Sequence, residues 1–171
     1  YAGGLDVWGF HLVNVLVHVI NGFLVFFLAA ALFRAPFILP GRSSTTPVPG
    51  RSLETTFLIP LFAALIFIAH PVQTQSVTYI VQRMNSMAVL FYLLAFLLFL
   101  YGTLSRLRVR RWLFYLGAIA SGALSMGCKE IAATLPFALL LCEWFFFQDL
   151  RLSWLKRSLK YIVPALLLLG G

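Results

Sequence analysis

Long apolar segments are the feature that most restricts how this chain can fold. The residues from Trp8 to Phe33 include no Asp, Glu, Lys or Arg, and as one helix they would extend ~39 Å at 1.5 Å per residue. The hydrocarbon core of a bilayer is ~30 Å thick, so a helix of this length can cross it. Hydrophobic residues make up 61% of the chain and charged residues 11%, with a mean hydropathy of +0.95. This composition excludes an ordinary soluble globular domain.

Six segments of this kind predict an all-α, polytopic transmembrane helix bundle. The predicted spans are about 8–33, 55–69, 87–104, 112–127, 131–147 and 161–171. The second is short, since Phe57 to Ala69 gives only ~20 Å of helix, so it has to begin near Thr55 or be extended by the residues after Ala69. The chain begins without Met and stops within the sixth segment. We therefore expect residues 1–171 to be a transmembrane fragment of a larger protein.

Basic residues are concentrated in three of the connections between these spans. Lys and Arg number 13 and give a formal net charge of +8, and only Arg83 and Lys129 lie outside 34–54, 105–111 and 148–160. The positive-inside rule predicts that these three connections are cytoplasmic and that the N-terminal end faces outward. The charge indicates contact with anionic membrane lipids, and no nucleic-acid partner is needed to explain it.

Four polar residues recur on one face of the first span. They are His11, Asn14, His18 and Asn21, at a helical spacing. Polar groups that face lipid are costly, so this stripe has to face other helices or a water-filled cavity. Either the four side chains form hydrogen bonds between helices, or the outer end, His11 and Asn14, lines a substrate cavity.

The fourth and fifth predicted spans are joined by a very short turn. Gly117, Ser121 and Ser125 place small residues on one face of the fourth span, which favours close helix packing. Lys129 and Glu130 come next, in the turn, at the predicted outer membrane face. Two interpretations stay open for them, a surface ion pair or a binding site for an anionic ligand.

The stretch "AHPVQTQSVTYIVQRMNS", residues 69–86, is polar but carries a single full charge. Pro71 disfavours helical dihedrals at His70 and so ends the second span. After it, the pattern predicts an amphipathic helix on the outer leaflet over about 72–84. Its hydrogen-bonding groups suit a sugar or a phosphate, which Arg83 can bind bidentately. We therefore predict a substrate-binding wall formed by His70, Gln73, Thr74, Gln75 and Arg83.

The predicted site combines this wall with two other parts of the chain. We expect the imidazole of His70 to point towards the bundle interior. We further expect the wall to converge on one outward-facing cavity with residues from the first span and from the turn after the fourth. The added residues are His11, Asn14, Lys129 and Glu130.

Three blocks of the sequence resemble successive parts of one protein family. They read "GFHLVNVLVHVINGFLV", "AHPVQTQSVTYIVQRMNSMAVLFYLLAFLLFLY" and "CKEIAATLPFALLLCEW". The family is the membrane part of the tetratricopeptide-tailed O-mannosyltransferase-like proteins, within the C-type superfamily of polyprenyl-phosphate-sugar glycosyltransferases. The resemblance covers nearly the whole chain. The residues that fall on its motifs are His70, Pro71, Thr74, Val77, Arg83, Lys129, Glu130 and Thr134.

The resemblance implies an integral-membrane glycosyltransferase for O-glycosylation. Such an enzyme transfers a sugar from a polyprenyl-phosphate donor to an outward-facing acceptor, for example a protein Ser or Thr, and carries a soluble tetratricopeptide repeat tail. Eukaryotic members usually have an acid where Gln75 stands, and Arg-Ala-Asp where Arg83, Met84 and Asn85 stand. The loss of these carboxylates suits a bacterial branch, and with it a location in the bacterial inner membrane.

The resemblance also implies a catalytic acid that this chain does not contain. In this superfamily a carboxylate activates the acceptor hydroxyl and often helps to hold a divalent metal ion. It would lie upstream of Tyr1, and we interpret Asp6 as a helix cap. No catalytic residue is therefore assigned here, and the cofactor is unknown. The alternative is a noncatalytic membrane scaffold that uses the same fold to hold partner proteins in a complex.

Overall fold

The computed structural model describes residues 8–33, 57–73 and 83–147. Over these ranges the protein is all-helical, as predicted, and contains no strand. Two 3₁₀ turns, Pro71–Gln73 and Glu130–Thr134, interrupt the α-helices. The five α-helices of the described ranges are α1 (Trp8–Leu32), α2 (Ile59–Ala69), α3 (Arg83–Leu104), α4 (Arg108–Cys128) and α5 (Leu135–Phe146).

Two of the described helices are long and apolar enough to cross a membrane. They are His11–Leu32 within α1 and Arg83–Leu104, which is α3, with mean hydropathies of 2.4 and 2.3. Helix α2 is apolar but shorter. The six-span bundle therefore stays a prediction, and its last span, 161–171, lies outside the described residues.

Two helices begin earlier in the chain than the sequence pattern predicts. Arg83 and Met84, which the pattern places at the end of an interfacial helix, form the first turn of α3, while residues 74–82 lie outside the described ranges. Helix α4 begins at Arg108 rather than at about residue 112. In both places the polar residues run into the apolar segment without a Pro or Gly, so nothing interrupts the helical hydrogen bonds. The charged residues at the starts of α3 and α4 are therefore part of these helices, although the apolar segments begin after them.

Helices α1 and α2 pack against each other and run in opposite directions. His18 Nε2 lies 3.2 Å from the carbonyl oxygen of Ile68, and the two rings of Phe26 and Phe57 are 5.7 Å apart. His18 of α1 thus lies near the end of α2, whereas the later Phe26 meets Phe57, two residues before α2 begins. The N-terminal end of α1 and the C-terminal end of α2 consequently lie together.

Helix α3 packs against both α1 and α4 and is the centre of the described bundle. It runs parallel to α1, because Asn21 donates a hydrogen bond to the carbonyl of Ser86 near the start of α3, while later residues of both helices meet further along. Helix α5 also takes part in this second contact. The buried residues that meet there are Ala31, Leu97, Leu100 and Cys142.

Helix α4 lies against α3 in the antiparallel sense. The hydroxyl of Ser125 donates to the carbonyl of Ala88 at 2.8 Å, and at the other end Gly102 faces the ring of Tyr115. A Cβ at Gly102 would lie 2.7 Å from Cε1 of Tyr115, so only glycine permits this approach of α3 to the aromatic ring. Small residues on both helices therefore set their separation, as the spacing of Gly117, Ser121 and Ser125 predicts.

Several polar side chains lie inside this bundle, and many large apolar side chains are exposed on its outside. Asn14 and Asn21 are 1% and 3% exposed, whereas Leu16, Phe23 and Ile66 are 59%, 60% and 64% exposed. In water this distribution would leave apolar surface uncovered, but in a bilayer it satisfies both kinds of group. Together with the two long apolar helices, it indicates membrane association.

Candidate substrate-binding site

The chain segments that carry the predicted site residues meet at one end of the bundle. This end, which we call the His70 end, is formed by the start of α1, the end of α2, the start of α3, the end of α4 and the turn Glu130–Thr134. This arrangement results from the helix directions, since α1 and α3 run away from the His70 end and α2 and α4 run towards it. Those predicted residues that the structure describes therefore share one end of the bundle.

His70 is the residue that ends α2. Its dihedrals are φ −66° and ψ 129°, the extended conformation that the following Pro71 favours. Its Nδ1 accepts a hydrogen bond from the backbone N–H of Val72 at 3.2 Å. The side chain is exposed, so the expectation that it points into the bundle interior does not match the described residues. The local hydrogen bond from Val72 contributes to this, because it holds Nδ1 against the turn Pro71–Gln73.

Two cationic side chains lie at the facing ends of α3 and α4. Arg83 opens α3 and is half-buried, and Lys129 is the first residue after α4. The ammonium group of Lys129 donates a hydrogen bond to Oδ1 of Asn85, two residues after Arg83. Residues two apart on a helix differ by ~3 Å in height and by ~200° in direction, so Arg83 lies on the same rim of the bundle as Lys129 but on a different side of α3 from Asn85.

A cavity of about 280 Å³ lies between α3, α4 and the turn Glu130–Thr134. Along α3 its wall extends from Asn85 to Leu93, a distance of ~12 Å along the axis. The wall is mainly apolar, and its polar groups include the paired side chains of Asn85 and Lys129 at the outer end. The lining residues are Asn85, Ala88, Val89, Tyr92, Leu93, Ser125, Lys129, Ile131 and Ala132.

The two halves of the polar stripe of α1 lie in different surroundings. Its inner half bonds neighbouring helices, because His18 contacts the carbonyl of Ile68 and Asn21 donates to that of Ser86. The ring of His18 also stacks on Phe67 at 5.8 Å. These contacts agree with hydrogen bonding between helices for this half.

The outer half of the stripe lies beyond those bonds. Asn14 is buried and His11 is half-buried, and His11 begins ~10 Å further out along α1 than His18. Both belong to the His70 end, but neither lines the cavity between α3 and α4. The predicted site is thus gathered at one end without forming a single described pocket.

Glu130 begins the turn after Lys129 and is exposed. Thr134, at the end of this turn, donates a hydrogen bond to the carbonyl of Ile131 at 2.8 Å. Gln73 lies in the turn Pro71–Gln73, but its side chain is not described. Thr74 and Gln75 lie outside the described residues.

The cavity includes residues that the sequence pattern does not single out. Asn85 appears in the sequence only as a departure from the family pattern, although it shares the polar block of Arg83. The spacing of Ser125 predicts packing, and its hydroxyl does bond the backbone of α3 while also facing the cavity. No sequence signal distinguishes Tyr92 from the other aromatic residues of α3.

The described residues contain no group of three or more His, Cys, Asp or Glu side chains that could hold a metal ion. Their two acids are far apart, since Glu130 lies at the His70 end and Glu143 lies late in α5, towards the opposite end. No metal-dependent step is therefore derived from these side chains.

The fold and the candidate site define a membrane-associated, all-helical protein with cations and an apolar cavity at one end. Its sequence is similar to protein O-mannosyl-transferases. It is 33% identical to Protein O-mannosyl-transferase Tmtc1 of Drosophila melanogaster over 141 residues, which are 82% of this chain and 13% of that protein. It is 30% identical to Protein O-mannosyl-transferase TMTC2 of Homo sapiens over 153 residues, which are 88% of this chain and 16% of that protein.

These proteins are homologues of most of this chain, which itself spans only 13% to 16% of their length. A third, Protein O-mannosyl-transferase TMTC4 of Homo sapiens, is 36% identical over 96 residues, or 56% of this chain and 12% of that protein. No family model matches the chain. No solved structure matches it either. The comparisons support a glycosyltransferase-like role.

Proposed function

We propose that this chain is part of an integral-membrane glycosyltransferase of the same family as its O-mannosyl-transferase homologues. In this proposal the protein transfers a sugar from a polyprenyl-phosphate donor to an acceptor on the outward side of the membrane. The observation that carries the proposal is the contact of Lys129 with Asn85 at the outer end of an apolar cavity.

The chemistry of the donor fits this arrangement. A polyprenyl-phosphate sugar has a long apolar chain, one phosphate with a negative charge, and a polar head. Lys129 supplies a point charge for the phosphate at the outer end of the cavity, and Arg83, which lies on the same rim but does not line the cavity, is proposed to reach the phosphate with its bidentate fork. The apolar wall of Ala88, Val89 and Leu93 then receives the first isoprene units, since burial of each CH₂ contributes ~0.8 kcal/mol.

The partner of Lys129 is an amide and not a carboxylate. An Asp at this position would neutralise the ammonium group that Asn85 now contacts. The amide accepts the same hydrogen bond but carries no charge, so the contact orients Lys129 and leaves its positive charge uncompensated by this partner.

The sugar and the acceptor are placed at the exposed side of the His70 end. We assign Nε2 of the exposed His70 to a hydroxyl there, since Nδ1 accepts a hydrogen bond from the backbone of Val72. The two described acids are Glu130, which is exposed at the His70 end, and Glu143, which lies towards the other end. Following the family resemblance, we assign the role of general base to a carboxylate upstream of Tyr1, where a divalent metal ion would also be held.

A noncatalytic scaffold is the second candidate. It is favoured by the local hydrogen bond of His70, which a purely structural turn also explains, and by the position of the two described acids. The two candidates differ in whether the His70 end binds a lipid-linked phosphate at all.

Ligand binding by the full-length protein in nanodiscs separates these two functions. The probes are a polyprenyl monophosphate and the uncharged polyprenol of the same length. We expect the phosphate to raise the affinity by at least about tenfold, the range of charge-assisted hydrogen bonds. Equal affinity for the two probes, or no binding of either, would favour the scaffold.

A further inference from the structure

A second cleft lies at the opposite end of α3 and α4, and the proposed function does not use it. Its volume is about 690 Å³. It is formed by the last turns of α3, the connection after it and the first turns of α4. The lining residues are Leu97, Leu98, Tyr101, Leu104, Ser105, Arg106, Leu107, Arg110 and Phe114.

The charge of this cleft is positive. Arg106 and Arg110 are both exposed, and none of the described residues that line the cleft is acidic. The guanidinium of Arg110 lies over the ring of Phe114, 5.4 Å from its centroid, which orients the group at the edge of the cleft. Nearby, Arg111 donates a hydrogen bond to the carbonyl of Ser105 at 2.9 Å and so holds the connection in place.

The start of α4 adds a partial positive charge at the same position. Leu107 is the N-cap of this helix, and no side chain caps the free N–H groups of the first turn. An uncapped helix start attracts anions through these groups and through the helix dipole. Helix α4 has 21 residues, so its dipole has the strength expected of a long helix.

The remaining wall of the cleft is apolar and continuous with the outside of the bundle. Leu97, Leu98, Tyr101 and Leu104 extend along the last two turns of α3, a helix apolar enough to cross a membrane. The rings of Tyr101 and Phe114 lie 5.9 Å apart and join this wall to α4. A small free anion would use only the charged edge, whereas a membrane lipid uses both the edge and the wall.

We propose that this cleft binds one anionic phospholipid, with its headgroup phosphate between Arg106 and Arg110 and an acyl chain along the leucine wall of α3. Basic pockets between membrane helices recognise anionic headgroups in this way. The site is separate from the donor site, since it lies at the other end of the same two helices. The basic connection 105–111 thus has a defined ligand in addition to its general attraction to the membrane surface.

Native mass spectrometry of the full-length protein tests this proposal. The protein is released from detergent micelles in the presence of phosphatidylglycerol or phosphatidylcholine. We expect one phosphatidylglycerol to stay bound, and Arg106→Gln or Arg110→Gln to weaken its binding by about tenfold or more. Arg110→Lys retains the charge but loses the planar fork, so we expect an intermediate loss.

Arg108→Gln is the matched control. Arg108 is exposed, lies between Arg106 and Arg110 in the sequence as the first residue of α4, and carries the same charge, but it does not line the cleft. We expect it to bind the lipid as the unmodified protein does, and all the variants to unfold at the same temperature because these side chains are exposed. An equal loss in Arg108→Gln, equal retention of phosphatidylcholine, or displacement of the lipid by millimolar inorganic phosphate would each overturn the proposal.

Discussion

Lys129, the first residue after α4, bonds through its ammonium group to Oδ1 of Asn85 in the first turn of α3. The two residues are 44 positions apart in the sequence. Their contact fixes the end of α4 beside the start of α3. An ammonium group held by a neutral amide can still attract an anion, and this property distinguishes the proposed donor site from an ordinary surface ion pair.

The first prediction concerns the effect of a negative charge at residue 85 on binding of the lipid donor. Asn85→Asp converts the hydrogen bond to an ion pair and neutralises Lys129, so we expect it to weaken binding of polyprenyl monophosphate by about three- to tenfold. Asn85→Ala removes the acceptor but leaves the charge of Lys129, so we expect a smaller change. Titration of the full-length variants in nanodiscs measures both. Tighter binding in Asn85→Asp would contradict a phosphate at Lys129.

Arg83 tests the geometry of phosphate binding. Arg83→Ala removes a charge-assisted contact, and we expect a loss of at least ~1.5–3 kcal/mol in donor binding. Arg83→Lys keeps the charge but not the bidentate fork, so we expect it to bind the donor more weakly than the unmodified protein as well. Arg108→Gln, at the opposite end of the bundle, controls for the change in net charge. Unchanged affinity in both Arg83 variants would leave Arg83 as an anchor to lipid headgroups.

The separation of α3 and α4 depends on Gly102. Gly102→Ala places a methyl group 2.7 Å from the ring of Tyr115, and we expect it to destabilise the fold by ~1–3 kcal/mol, the usual effect of overpacking. Gly9→Ala in α1 is the control, since nothing lies within 4 Å of the added carbon. Thermal unfolding in detergent compares the two. Equal midpoints would mean that α3 and α4 do not pack as described.

Sequence periodicity locates the helices better than it locates their contacts. The apolar run of the first span predicts 8–33, and α1 covers Trp8–Leu32. The start of α4 is predicted too late because the charges of Arg108, Arg110 and Arg111 resemble those of a connection. Charged residues extend a helix readily when they have no need to enter the hydrocarbon.

The sequence predicts the location of the candidate site but not its internal contacts. Because consecutive helices run in opposite directions, His70, Arg83 and Lys129 come to the same end of the bundle. This placement does not depend on the contacts of their side chains. The bond of Lys129 to Asn85 depends on which faces of α3 and α4 meet, and the outward position of His70 depends on a local bond to Val72. Neither can be deduced from spacing along one helix, because both are decided by packing or by turn geometry.

The orientation in the membrane is predicted by the distribution of basic residues. In a protein with Cys128→Ser and Cys142→Ala, single cysteines introduced at Ser44 or Ser105 should react with a membrane-impermeant reagent only from the cytoplasmic side. A cysteine at Gln75 should react only from outside. Mass-tag labelling of intact and permeabilised cells measures both. Labelling at Ser105 from outside would reverse the orientation and place the Lys129 end in the cytoplasm.

Photo-crosslinking of the lipid donor tests the central claim most directly. A polyprenyl monophosphate with a photoreactive group in its first isoprene units is bound to the full-length protein, irradiated, and located by peptide mass spectrometry. We predict adducts on the cavity wall of α3 and α4, around Val89, Tyr92 and Leu93, that are lost in Lys129→Gln. Adducts confined to the Arg106–Arg110 cleft, or adducts unaffected by Lys129→Gln, would contradict a donor site at the His70 end.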